Sequence, residues 1–188
     1  MVPKGYFTRV FVFLCLAWIN VHILAVSPEP GLGIKKHVEL SKDRSMAEVN
    51  PEKALIYVVR PAFVGTAVKS YFICGDDFKG INKGKSYFYF YIEPGKHVFW
   101  SKAENVDALE LDVKAGQTYY IKQAVQVGAL KTRIKLVVLS ESEGKMALKK
   151  CKRHSTPTEK GIQKGKEIAI KYKENTKEDL ARREKKMN

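Results

Sequence analysis

Few of the 188 residues combine the type and spacing that chemistry requires. His97 follows Pro94-Gly95-Lys96, Asp76 and Asp77 stand side by side in GDDFKG, and Glu93 precedes Pro94. An imidazole within reach of a carboxylate is the minimum for general acid–base work, so an enzyme here needs His97 to converge with Asp76, Asp77 or Glu93. Each residue also has a plainer role. A His that opens a strand after a turn is ordinarily a hydrogen-bonded structural residue. Neighbouring Asp residues beside Gly serve Asx-turns, and GDDFKG lacks the alternating oxygen ligands and terminal Glu of a calcium loop. His37, His97 and His154 do not have metal-ligand spacing, and neither a Gly-x-Ser-x-Gly elbow nor a phosphate-cradling glycine loop occurs. The expectation is a chain with no catalytic residue, cofactor or metal, the alternative being an enzyme of unrecognised type on the same scaffold.

The aromatic residues are the better clue. Tyr87, Tyr89, Tyr91, His97, Trp100 and Tyr119 are candidates for a ring-bearing interaction surface, suited to sugar rings or a protein partner. Rings that simply fill and cover a small core are the simpler reading. Cys74 and Cys151 are either one disulfide or two separately buried thiols, and no C-x-x-C spacing supports a redox site.

These residues are carried by a segment of strand character. Runs rich in β-branched and aromatic residues recur about every ten residues between turn clusters. The candidate strands are 54–60, 67–74, 86–92, 97–103, 108–113, 118–126 and 133–140. Leu109, Leu111 and Val113 alternate with Glu110 and Asp112, giving one face to a core and one to water. Ser86 to Ile92 is apolar on both sides and belongs at the centre of a sheet. The fold class expected is all-β: a small two-sheet antiparallel β-sandwich of about seven strands, followed by a short helix and a basic, partly helical C-terminal tail. Ser140 or Ser142 caps that helix, with acids in its first turn and lysines at its end.

The organisation expected is a signal peptide or N-terminal membrane anchor over 1–25, a linker over 26–53, the β-sandwich with its helix over 54–151, and a charged tail over 152–188. Lys4 and Arg9 precede the unbroken apolar run Val10 to Ile19, as in a signal peptide, and Ala25 offers a small residue at the cut. In the linker, 38–49 suggests a short helix ended by Asn50-Pro51. In the tail Gly161 and Gly165 weaken the first helical turns, so a solvated extension is expected there.

ALIYVVRP at 54–61, SYFYFYIEPGKH at 86–97, DVKAGQTYYIKQ at 112–123, Gly128 and ESEGKMALKKC at 141–151 resemble, in order and spacing, the domain of unknown function 2846 family of small bacterial proteins. The resemblance spans residues 53–151. It implies an exported envelope protein, often lipid-anchored, with no activity established for the family. Cys15 lies within the apolar run rather than at its end, which departs from a lipidation site, and the extension after Cys151 is outside the family pattern.

The formal net charge of +14 divides unevenly: +2 over 1–25, zero over 26–53, +5 over 54–140 and +7 over 141–188. An exported chain does not meet the genome, so nucleic acid is not the expected partner. The anion sought is a membrane surface or an anionic envelope polymer, with another envelope protein as a further partner. The reading is thus of an exported, non-enzymatic interaction module of the cell envelope, periplasmic or membrane-associated. Mass spectrometry of the protein from its producing cell should find a chain beginning near Val26; intact Met1 in an aqueous fraction would overturn export.

Overall fold

Alternating apolar residues pair into two sheets in a computed structural model that describes residues 36–44, 46–64, 67–127 and 132–187. All belong to the unit Ile34–Asn188. The signal or anchor expected over 1–25 lies outside the described residues. So does the start of the linker.

One sheet has six strands in the order β1 (Val38–Ser41), β10 (Arg153–Pro157), β5 (Ser86–Ile92), β2 (Ala54–Arg60), β8 (Thr118–Val127) and β9 (Thr132–Leu139). The other has β4 (Asp77–Asn82), β3 (Ser70–Cys74), β6 (Gly95–Lys102) and β7 (Val106–Val113). The larger sheet is mixed, which corrects the antiparallel expectation. β2 runs parallel to β8 and β10 parallel to β5. The chain leaves β2 to build the second sheet before β8 returns, a long crossover of the kind a parallel pair requires.

Strand parity sorts the core into layers. Ile56, Val58, Phe88, Ile121, Ile134 and Leu136 face Phe72 and Phe99 between the sheets. Leu55, Tyr57, Val59, Tyr87 and Tyr120 point the other way and are covered by α1 (Glu141–Lys150). Ile73, Ile81, Trp100 and Ala108 lie on the outer face of the four-stranded sheet, under Ile168 and Ala169 of α2 (Glu159–Lys171) and Leu180 of α3 (Lys173–Met187). Covering on both faces explains why all seven positions of β2 are buried.

Helix α1 begins at Ser140, whose hydroxyl and the Glu143 carboxylate form a capping box. Of residues 152–188, expected as a solvated tail, those described, 152–187, are instead part of the fold. β10 enters the six-stranded sheet and α2 and α3 pack on the four-stranded one. The linker expected over 26–53 supplies β1, antiparallel to β10, in place of the short helix expected over 38–49.

Asn82 joins the two sheets. Its Nδ2–H donates to the Val58 carbonyl at 3.1 Å, while its Oδ1 accepts from the Ser86 hydroxyl at 2.9 Å and the Ser155 hydroxyl at 3.0 Å. Asn82, Ser86 and Ser155 are all buried, so this one amide links β4, β2, β5 and β10 out of water.

Gly161 allows α2 to meet β1. A Cβ at this position would overlap the His37 carbonyl oxygen, a backbone atom that also accepts from the Thr158 N–H at 3.1 Å. In a solvated helix Gly→Ala would stabilise by about 1 kcal/mol. Here Gly161→Ala should instead destabilise by about 1–3 kcal/mol in urea unfolding, because backbone must shift.

Candidate interaction surfaces

The residues on which an enzyme was to be built stay apart. His97 Nε2 lies 2.8 Å from the Glu93 backbone carbonyl across the β5–β6 turn, not from a carboxylate. Each carboxylate has a lysine of its own: Glu93 with Lys53 at 2.8 Å, Asp76 with Lys173 at 2.6 Å, and Asp77 with Lys79 at 3.5 Å. The convergence that the enzymatic alternative required is not formed.

The six residues proposed as one ring-bearing surface fall in separate places. Tyr87, Tyr89 and Tyr91 share a parity on β5 and face outward from the six-stranded sheet. Tyr57 meets Tyr120 there in a stacked pair, 5.4 Å between centroids, and Tyr89 at 5.5 Å. Arg44 and residues 46–50 lie along this row. The Ala47 N–H donates to Tyr57 Oη at 2.8 Å, the Tyr91 hydroxyl donates to the Glu48 carbonyl at 2.5 Å, and Arg44 Nη2 donates to the Leu148 carbonyl at 3.1 Å. His154 closes the end of the row, 5.4 Å from the Tyr87 ring and 5.5 Å from that of Tyr89. Tyr87 is consequently buried and Tyr91 partly exposed. Burial also pushes the Tyr57 hydroxyl up to about 12. Trp100 is buried beneath α2 on the other sheet, its Nε1–H donating to the Gly75 carbonyl at 2.8 Å. Tyr119 packs against the inter-sheet cluster. Which strands share a sheet, not visible in a run of aromatic letters, divides the set.

The cysteines correct the disulfide alternative. Cys74 lies between the sheets and Cys151 on the opposite face of the six-stranded sheet, both as free thiols. Burial pushes Cys74 up to about 11 and Cys151 up to about 12.

Charge is organised more closely. Glu104, Asn105 and Asp107, at the start of β7, turn toward the edge of β9. Glu104 accepts the Thr132 N–H, Asn105 Oδ1 accepts the Ile134 N–H at 2.8 Å, and Asp107 accepts the Leu136 N–H at 2.5 Å. Three side chains thereby cover an edge that would otherwise offer free amides. Arg183 of α3 pairs with Asp107, and Asp179 accepts the buried Ala108 N–H at 2.9 Å. Burial raises the Asp107 carboxyl despite the Leu136 amide and the Arg183 guanidinium. These groups line an open groove of 860 Å³ along α3, in which the exposed Arg133, Lys135 and Lys186 also face solvent. Farther along, Lys69, Lys160 and Lys164 lie near enough to His37 to add to burial in lowering its pKa.

One end of the sandwich was not singled out by its sequence. Residues 61–64 leave β2 and 67–69 lead into β3, the 83–85 turn joins β4 to β5, and Lys152 leads into β10, all at the same end. The Lys85 N–H donates to the Ala62 carbonyl at 3.1 Å and the Lys152 N–H to the Lys85 carbonyl at 2.8 Å. Phe63 and Val64 project from this end.

Comparisons with known proteins agree with the family seen in the motifs. Residues 50–134 match the model of a family described as a protein of unknown function (DUF2846). An uncharacterised protein of Haemophilus influenzae is 28% identical over 155 residues, covering 80% of this chain and 89% of its own. That stretch is longer than the family match, so the likeness reaches beyond the segment that the family model covers. A protein from Eubacterium rectale solved by NMR aligns over 51% of this chain and 98% of its own at 8% identity, with a TM-score of 0.34, too slight a likeness to carry weight. Among the described residues no group of His, Cys, Asp and Glu could hold a metal ion, and no helix is long and apolar enough to cross a membrane.

Intact mass should be the same with and without reductant. Both thiols should resist labelling in the folded protein and react once denaturant is added; a gain of about two mass units on reduction would restore the disulfide.

Proposed function

We propose, on the premise of the DUF2846 match, that this is an exported cell-envelope protein, a non-enzymatic interaction module held against an anionic surface. The observation that carries the reading is the placement of charge in residues 141–188. Their net +7 is mounted on packed elements rather than on a loose tail. α2 buries Gly161, Gly165, Ile168 and Ala169 on one side and exposes Lys160, Lys164, Lys166 and Lys171 on the rest of its surface. A cation fixed on a folded surface loses little freedom when it meets an anion, and each lysine or arginine at a lipid surface contributes about 1 kcal/mol. The apolar run at 10–19 accords with export, and the family has no established activity to set against a binding role.

Fractionation tests the reading. The protein should sediment with envelope membranes and be released by a wash in about 1 M salt, where the Debye length falls to about 3 Å. Retention through that wash with release by detergent would assign attachment to the N-terminal segment instead. Recovery from the cytosol on polynucleotide would overturn the proposal.

A further inference from the structure

We infer that the end of the sandwich carrying Phe63 and Val64 docks onto an anionic lipid bilayer, with these two side chains entering the apolar boundary while Lys69, Lys83, Lys85, Lys152 and Arg153 meet headgroup phosphates. This rests on the envelope reading above and gives its membrane partner a place on the molecule.

Exposure is the first observation. Phe63 is 68% exposed and Val64 56%, and the two are adjacent in sequence, whereas Ile170, Met46, Val49 and Met146 are exposed without another exposed large apolar residue next to them in the chain. Single exposed apolar residues are ordinary. An adjacent exposed pair with a cation over one ring and further lysines on the neighbouring segments is the arrangement that interfacial binding uses.

The charge around the pair is of one sign. Residues 61–64, 67–70, 82–86 and 149–154 contain no Asp or Glu, yet supply Lys69, Lys83, Lys85, Lys149, Lys150, Lys152 and Arg153. The acids of the adjoining segments are Glu104, turned to the Thr132 amide, and Asp43, which lies near enough to His154 to influence its titration. Neither belongs to the segments that bear the tip.

The loop is held from both sides. Arg60 Nη1 donates to the Val68 carbonyl at 2.7 Å, and the Lys85 N–H to that of Ala62 at 3.1 Å. Lys85 has a φ of 57°, the sole positive value outside glycine among the described residues. A side chain in the left-handed region is costly, and such backbone outliers concentrate at working surfaces. This conformation sets Lys85 Nζ 5.3 Å from the centre of the Phe63 ring, so cation and ring are presented together.

A hydrated polyanion would engage the lysines but would give Phe63 and Val64 no apolar medium to enter, whereas a bilayer supplies phosphates and, just below them, hydrocarbon. The two apolar side chains therefore favour the bilayer.

The unit Ile34–Asn188, whose sheets and clusters form among its own residues, can be tested by flotation with vesicles of phosphatidylglycerol and phosphatidylcholine in equal parts. It should float with these and not with phosphatidylcholine alone. Phe63→Ser with Val64→Ser, and separately Lys83→Gln with Lys85→Gln, should each weaken partition by at least about tenfold. Lys53→Gln with Lys114→Gln, at the opposite end of the sandwich, should change it far less. Phe63→Trp should move its emission to shorter wavelength on the anionic vesicles, against the constant signal of buried Trp100. If the unit floats and the Phe63 and Val64 change leaves partition unaltered, the inference falls while membrane association stands. Failure of the unit to bind anionic vesicles at all would remove the membrane partner as well. Equal binding of unit and tip variant to soluble polyphosphate, without flotation, would assign the surface to an envelope polymer instead.

Discussion

The carboxamide of Asn82 is the point from which the architecture is best understood. It stands on β4, in the smaller sheet, and satisfies the carbonyl of Val58 and the hydroxyls of Ser86 and Ser155, in the larger one. A buried polar atom left without its partner costs about 1–3 kcal/mol, so losing this amide is costly even though the two hydroxyls also reach the Lys83 and Tyr87 carbonyls. Apolar contact between the sheets is non-directional and would tolerate sliding. The amide does not. By fixing Ser155 it fixes β10, by fixing β10 it gives β1 a partner, and from β10 the chain passes directly into α2. The cover over the outer face of the four-stranded sheet thus descends from a contact made inside the sandwich.

A second economy concerns the acids. Glu104 and Asp107 accept amides along the β9 edge and Asp179 accepts the Ala108 amide, while Asp76, Asp77 and Glu93 each hold a lysine near the turns at the opposite end from Phe63. These six acids are each committed to an amide or a lysine of the chain itself. The formal net charge understates how uneven the surface is, because the cations at the Phe63 end have few acids beside them. Helix α3, poor in apolar residues, is held through Asp179 and Arg183 as much as through Leu180, so polar contacts there replace part of an apolar face.

What could be read from the residues follows from what each element uses to stay in place. β2 and β5 are continuous apolar runs and match the expected 54–60 and 86–92 at both ends. β7 alternates, and its face was evident for the same reason. β4 was missed because Lys79-Gly80 resembles a turn; Gly80 is there because the Phe88 ring occupies the space a Cβ would need. β10 is Arg-His-Ser-Thr-Pro, with no apolar residue except Pro157, and is buried through one serine hydroxyl, a signal that hydrophobic periodicity cannot register. β1 is four residues of mixed character. Gly161 and Gly165 argued against a packed helix on propensity alone, whereas their lack of a Cβ is what lets α2 approach His37 and Phe78. The aromatic surface dissolved for a related cause: alternation says which residues share a face of one strand, but not which strands share a sheet. Phe63 and Val64 fall between the expected strands 54–60 and 67–74, and only their exposure in the fold sets them apart.

The pairing of β1 with β10 brings together residues 38–41 and 154–157, near opposite ends of the unit. Closing so long a loop places a heavy share of the contact order in a single strand pair, and that pair must await the last third of the chain. During synthesis β5 has an open edge until Arg153 and His154 arrive beside Ser86 and Tyr87. An aromatic edge left open is a template for pairing with other copies. The order of synthesis therefore works against this protein: an aromatic strand edge stays open until most of the other strands have been made.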